Sequence, residues 1–232
     1  MPQDEELRQQ VIDTCLSMNR LGLNQGKAGN VSVRNDEGFL LTGSGIAYDR
    51  MEPDHVVQMD LQGTYAGNIL PSSEWRMHLD IYRHFAGAGA VVHVHSPHAT
   101  AVSCLRREIP PFHYMIGVAG GSTIRCADYA RFGSVELSEA MIAAMEDRKA
   151  CLLANHGMIC FSDDLRGALD LAVEIEALCQ QFVLANQCGT PALLSDGEMQ
   201  DVLQRFGAYG KQQDERAPDE MPAFDPPVRR QE

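Results

Sequence analysis

Residues 91–95 read Val91-Val92-His93-Val94-His95, the centre of an apolar run from Ala90 to Ser96. Its brevity and its β-branched residues fit a strand. Side chains two apart in a strand share a face, so His93 and His95 project side by side while Val92 and Val94 point the other way. Two imidazoles on one face can chelate a metal, and a strand fixes ligands rigidly. The same spacing also fits two core histidines with satisfied hydrogen bonds, and the stretch alone leaves both readings open.

A second apolar strand, Ala150 to Asn155, ends on Asn155-His156-Gly157. If the two strands are neighbours, His156 completes three neutral nitrogens around a zinc and leaves a position open for substrate. The remaining histidines carry weaker signals. His55, His84 and His98 read as surface or helix residues, and His113 sits in a proline-flanked loop. His78 lies one helical turn after Glu74 and could support a ligand from behind.

Around these strands the chain alternates helix and strand patterns. Asp4 to Leu21 carries Leu7, Val11, Cys15, Met18 and Leu21 at helical spacing and stops at Gly22. Val31 to Arg34 and Phe39 to Thr42 flank Asn35-Asp36-Glu37-Gly38 as a hairpin, and Val56 to Leu61 reads as a strand. Further helices are expected from Ser72-Ser73 to Phe85, with a serine as N-cap and Glu74 in the first turn, from Ser96-Pro97 to Leu105, and from Ser134 to Glu146. Asp164 to Ala185 is a long helix with Ala168, Ala172, Ile175, Cys179 and Phe182 on one face. A Ser195-x-x-Glu198 capping box opens the last one, ending near Gly207. Residues 211–232 hold four prolines and ten charges and read as a disordered tail. One α/β domain over residues 1–210 is the economical organisation, and the hairpin makes its sheet at least partly antiparallel.

Composition narrows the function. The 232 residues are 44% hydrophobic, enough for a core, and 19 basic against 32 acidic side chains give a formal charge of −13. Binding driven by nucleic-acid phosphates is disfavoured. An anionic substrate has to be held by a metal, a helix N-terminus or backbone amides against that field. Gly29-Asn30, Thr42-Gly43-Ser44-Gly45 and Ser72-Ser73 are loops able to supply amides and hydroxyls to a phosphate. Neither G-x-x-x-x-G-K-[ST] nor G-x-G-x-x-G occurs. Lysine is present only at 27, 149 and 211, with no obvious desolvated candidate for a Schiff base. Seven cysteines without a C-x-x-C pair read as thiols of a reducing cytoplasm. No apolar run is long enough for a membrane span, and the first residues do not read as a leader.

Glu74 has two readings: a capping or dipole residue, or a carboxylate that touches a metal at rest and carries a proton once substrate displaces it. Taken together, Gly26 to Val33 (GKAGNVSV), Thr42 to Tyr48, Pro71-Ser72-Ser73-Glu74-Trp75, Val91 to His95, His113-Tyr114-Met115 and Leu152 to Gly157 resemble the class II aldolase/adducin family in order and spacing, over about residues 5–210.

The resemblance implies an α/β/α sandwich about a largely antiparallel sheet, assembled as a homotetramer with sites between subunits. It implies His93, His95 and His156 as zinc ligands, with Glu74 as fourth ligand and acid/base. It places the substrate phosphate on Gly29, Asn30, Ser44, Gly45, Ser72 and Ser73. Tyr114 of a neighbouring subunit would handle the aldehyde-oxygen proton, and Phe206 and Tyr209 would line the site. The implied reaction cleaves a ketose 1-phosphate, either L-fuculose 1-phosphate or 5-deoxy- or 5-methylthioribulose 1-phosphate, into dihydroxyacetone phosphate and an aldehyde. A metal suits it because breaking the C3–C4 bond leaves a carbanion. Val94 and Asn155 depart from the pattern of the family's fuculose enzymes, and so does the tail after Tyr209; these positions bear on the aldehyde. A pentulose-5-phosphate 4-epimerase would carry Asp at position 74. An adducin-like interaction module should have lost ligands, and a structural zinc site would need a fourth Cys or His.

Overall fold

The strand read at Ala90–Val94 lies at the middle of a seven-stranded sheet in the computed structural model, which describes residues 2–206. In chain order the elements are α1 (Pro2–Arg20), β1 (Asn30–Asn35), β2 (Gly38–Thr42), β3 (Val56–Met59), α2 (Trp75–His84), β4 (Ala90–Val94), α3 (Pro97–Ser103), β5 (Cys126–Ala127), α4 (Val135–Ala144), β6 (Ala150–Leu153), β7 (Gly157–Ser162), α5 (Leu165–Cys188) and α6 (Asp196–Phe206). The sheet order is β3-β2-β1-β4-β7-β6-β5. Every neighbouring pair is antiparallel except β5 and β6.

Alternation along the strands sorts side chains into two layers, which makes the α/β/α sandwich. Val31 and Val33 of β1 and Ala90, Val92 and Val94 of β4 join α1, α3 and α5 on one face. Val91 turns to the other face, where Met77, Leu79 and Ile81 of α2 and Leu137 and Met141 of α4 cover it. The expected stripe on α5, from Ala168 to Phe182, is buried against the first face. His93 follows the parity of Val91, so its imidazole leaves the valine layer and points towards α2.

Local signals set several helix starts. The Asp164 side chain accepts from the Gly167 amide at 2.7 Å and Ser134 from Leu137 at 3.1 Å. Ser195 and Glu198 form the reciprocal capping box. Three expectations need correction. The helix after Ser72-Ser73 begins only at Trp75 and Glu74 occupies its N-cap, with no side-chain hydrogen bond to the helix. Its carboxylate is drawn towards the imidazoles instead. The strand expected to run from Ala150 to Asn155 ends at Leu153, and His156 sits in the tight turn that joins β6 to β7, a strand not expected from the sequence. That turn fits against β4 because Gly157 has no side chain: a Cβ there would lie 2.4 Å from the Val94 carbonyl oxygen and 3.1 Å from the His95 ring. The third is the strand expected from Val56 to Leu61, which ends at Met59 because the segment from Asp60 turns back on itself through hydrogen bonds to Asp60. Residues 207–232, including Tyr209 and the expected tail, lie outside the described residues. Among the described residues no helix is long and apolar enough to cross a membrane.

Candidate metal centre and substrate cavity

Glu74, His93, His95 and His156 converge from the α2 N-terminus, β4, the residue after β4 and the β6–β7 turn. One ligand atom from each lies within 4.8 Å of all the others. His93 Nε2 is 3.0 Å from His95 Nε2 and 2.9 Å from Glu74 Oε2, and His156 Nε2 is 3.2 Å from Glu74 Oε1. The three rings meet edge to face, with centroids 4.7–4.9 Å apart.

The donor chemistry of this cluster suits a divalent cation. His93 is fully buried, and its Nδ1 donates to the Met158 carbonyl at 2.8 Å, which leaves the Nε2 lone pair aimed at the cluster. That nitrogen lies beside a carboxylate oxygen and a second imidazole nitrogen. Glu74 is 6% exposed, and its Oε1 is buried without a hydrogen-bond partner. Burial pushes the Glu74 carboxyl up, but the imidazoles of His93 and His156 outweigh it and hold it well below the usual carboxylate range. Burial, reinforced by the neighbouring His93 and His156, lowers His95 to about 3, so its nitrogen is neutral and available at pH 7. Three imidazole nitrogens and one carboxylate are a donor set able to hold a divalent metal ion.

Behind the ligands a chain of buried polar side chains fixes Glu74. The Tyr82 hydroxyl lies 2.7 Å from Ser32 Oγ, which lies 2.7 Å from His78 Nδ1; His78 Nε2 lies 2.5 Å from Asn30 Oδ1, and Asn30 Nδ2 donates to Glu74 Oε2 at 3.3 Å. His78 therefore supports the ligand through Asn30 rather than touching Glu74. With its carbonyl taken by His78, the Asn30 amide can present only its donor to the carboxylate. Asn24 performs a parallel task, accepting the His95 backbone N–H at 2.8 Å.

Burial lowers His78 from 6.5 to about 3. The unfolded chain binds a proton near the ordinary value that the folded His78 refuses, so its contribution to stability is complete above the unfolded value and drains away as pH falls towards the folded one. Moving from pH 7 to pH 5 should cost about 2 kcal/mol through this residue. Urea unfolding at both pH values measures it: His78→Gln should lose less stability on acidification than wild type, and an equal loss would contradict the assignment.

Above the ligands opens a cavity of about 380 Å³, lined by Gly29, Asn30, Ser44, Gly45, Ser72, Ser73, Glu74, His95 and His156. The three loops read as phosphate-binding thus meet beside the metal cluster, and His93 lies buried beneath it. Gly29 is required here, since at φ +83° a Cβ would strike the His93 carbonyl at 2.5 Å. Two other expected residues lie elsewhere in the same chain. Tyr114 begins a 3-10 helix, Tyr114–Ala119, is 49% exposed and does not line this cavity. Phe206 packs its ring against Gly117. Conversely, Lys27, Tyr129, Phe132 and Asn155 line the cavity. Lys27 lay inside the glycine loop that was read; its Nζ now donates to the Gly45 carbonyl at 2.9 Å. Tyr129 and Phe132 follow the two-residue β5 and had no local signal.

Residues 9–183 match the family model described as Class II Aldolase and Adducin N-terminal domain. The chain belongs to this family. It is 50% identical over 206 residues to the L-fuculose phosphate aldolase of Escherichia coli K12, covering 88% of this chain and 96% of that one. It is 48% identical over 204 residues to a 5-methylthioribulose-1-phosphate/5-deoxyribulose-1-phosphate aldolase of Rhodospirillum rubrum, covering 88% and 92%. A solved structure of L-fuculose 1-phosphate aldolase superposes with a TM-score of 0.84 at 36% identity, covering 87% of this chain and 96% of that one. In this class II aldolase-like chain the four donors stand on the largely antiparallel sandwich expected from the sequence.

Proposed function

We propose that this protein is a zinc-dependent aldehyde-lyase that cleaves a ketose 1-phosphate, such as L-fuculose 1-phosphate or 5-deoxy- or 5-methylthioribulose 1-phosphate, into dihydroxyacetone phosphate and an aldehyde. The carrying observation is the convergence of Glu74 and three imidazoles at the floor of a cavity whose walls are phosphate-type loops. Three histidines and one carboxylate fit zinc among the divalent metals. Held by Glu74, His93, His95 and His156, the ion would supply positive charge to offset the negative charge that develops on the substrate oxygens.

The side chains divide the remaining work. Ser44, Ser72, Ser73 and the amides around Gly29, Asn30 and Gly45 hold the phosphate and so orient C3 and C4. Tyr114 of a neighbouring subunit, as its phenolate, takes the C4 hydroxyl proton as the C3–C4 bond breaks and the electron pair stays on C3. Glu74, protonated from solvent once substrate has displaced it from its resting contacts, delivers that proton to C3. Tyr209 assists at the aldehyde end. Retention of all four donors argues against a non-enzymatic adducin-like module.

The homotetramer belongs to this reading. Tyr114, Leu105, Tyr129 and Phe132 are each about half exposed or more, an apolar surface suited to burial between subunits. The seven free thiols suit the cytoplasm. The function is tested by offering the purified protein L-fuculose, L-rhamnulose, 5-deoxyribulose and 5-methylthioribulose 1-phosphates and following triose phosphate release. At least one should be cleaved with kcat/KM of about 10⁴ M⁻¹s⁻¹ or more; release from none would remove the proposal.

A further inference from the structure

Three non-glycine residues among those described have a left-handed backbone, and two of them, Arg106 at φ +52° and Asn155 at φ +54°, are bonded to each other beside the cavity. Such backbone costs energy in an arginine and persists only when its surroundings hold it. Here one buried carbonyl holds both: Ser103 O accepts from the Arg106 amide at 3.0 Å and from the Asn155 amide at 3.2 Å. The side chains close the loop, Arg106 Nε donating to Asn155 Oδ1 at 2.6 Å. The guanidinium also lies over the Tyr129 ring, 5.4 Å from its centroid. Asn155 and Tyr129 both line the cavity, and Asn155 directly precedes the ligand His156.

This arrangement fixes what the wall offers a substrate. With Oδ1 engaged by Arg106, the Asn155 amide is oriented and its free donor is Nδ2, which makes no hydrogen bond among the described residues. Resting on the proposed function, the loops take the phosphate and the ligand cluster takes the reacting centre. Lys27, Tyr129, Phe132 and Asn155 remain for the carbons that leave as aldehyde, and of these only Asn155 is held by a hydrogen bond from Arg106. We infer that Arg106 is a positioning residue that turns Asn155 into a hydrogen-bond donor for an oxygen next to the aldehyde carbonyl. Asn155 departs from the residue of the family's fuculose enzymes at this position, but its free amide donor still favours substrates releasing a 2-hydroxyaldehyde. L-Fuculose 1-phosphate releases 2-hydroxypropanal, whereas the 5-deoxy- and 5-methylthioribulose phosphates release ethanal and methylthioethanal. Ethanal has no acceptor there, and a thioether sulfur is a weak one.

The test runs the reaction in the joining direction, with dihydroxyacetone phosphate and either 2-hydroxypropanal or ethanal, on metal-loaded wild type, Arg106→Ala, Asn155→Ala and the double variant. Wild type should favour 2-hydroxypropanal in kcat/KM by about 10-fold or more, a discrimination typical of a polar site facing an analogue that lacks its partner. Each single variant should lower that preference at least about fivefold. The double variant should be no worse than either single one, because the two residues act as a unit. Bound metal and the calorimetric affinity for dihydroxyacetone phosphate should stay at wild-type values in all variants. A preference that survives both single substitutions overturns the inference. So does a fall in metal content or affinity with the preference intact, which would mark a purely structural contact. If Arg106→Ala fails to fold, Arg106→Gln and Asn155→Ala carry the same comparison. Wild-type protein that joins neither aldehyde would overturn the proposed function itself, whereas an active enzyme with unchanged preference overturns only this inference.

Discussion

Stripping the metal from the purified protein should abolish carbon–carbon cleavage, by about 10³-fold or more, and re-addition of zinc should restore it. A factor of this size is about 4 kcal/mol of barrier, within reach of an ion that offsets charge on substrate oxygens in a partly dry cavity. The same treatment should lower stability. Without a cation, the His93 and His95 nitrogens face each other at 3.0 Å beside the Glu74 carboxylate, and Glu74 Oε1 has no hydrogen-bond partner. Zinc at about 100 times its dissociation constant should add about 2.7 kcal/mol, a rise of roughly 5–10 °C in thermal midpoint for a chain of this size. Metal analysis, triose phosphate release and thermal melts on one preparation measure all three. His93→Ala should reproduce the loss of activity and abolish the zinc-induced rise. Full activity at less than about 0.1 ion per chain would end the metal-dependent reading.

Glu74→Gln should separate proton transfer from metal binding. The amide is nearly isosteric and three imidazoles remain, so the variant should keep close to one ion per chain. It cannot exchange a proton at the substrate carbon, and kcat should fall about 10²–10⁴-fold, the usual range for losing a general acid/base. Removing the carboxylate also relieves the buried charge that the Asn30 amide and two imidazoles now balance, so folding stability should change little compared with turnover. Deuterium exchange at C3 of dihydroxyacetone phosphate, followed by NMR in D₂O, isolates the step without requiring cleavage. Wild-type exchange in the variant would take the proton from Glu74 and give it to another group.

How far the sequence reached is seen at particular residues. The shared face of His93 and His95 was legible because strand alternation is a property of the backbone, and it held in a strand buried on both sides. The hairpin at Asn35–Gly38, the capping box at Ser195 and the helix starts at Ser134 and Asp164 were legible because their hydrogen bonds span no more than three or four residues. The strand Gly157–Ser162 was missed because five of its six residues are buried, so no alternation marked it. Glu74 was placed one residue too deep in its helix because a local reading counts only cap and dipole preferences. The attraction deciding its position comes from imidazoles 19 and 82 residues further along.

The sequence by itself therefore determined a single α/β domain with an at least partly antiparallel sheet and the parity of the two strand histidines, since each depends on backbone periodicity or on a few adjacent residues, while the sandwich architecture came from the family resemblance. Only the tertiary structure decided that β7 lies against β4 and carries His156 to the other two rings, that Tyr82, Ser32, His78 and Asn30 line up behind Glu74, and that Arg106 reaches Asn155 across 49 positions of chain. Those contacts arise from burial of a whole sheet between two helical layers, a non-local energy that no short window of residues carries.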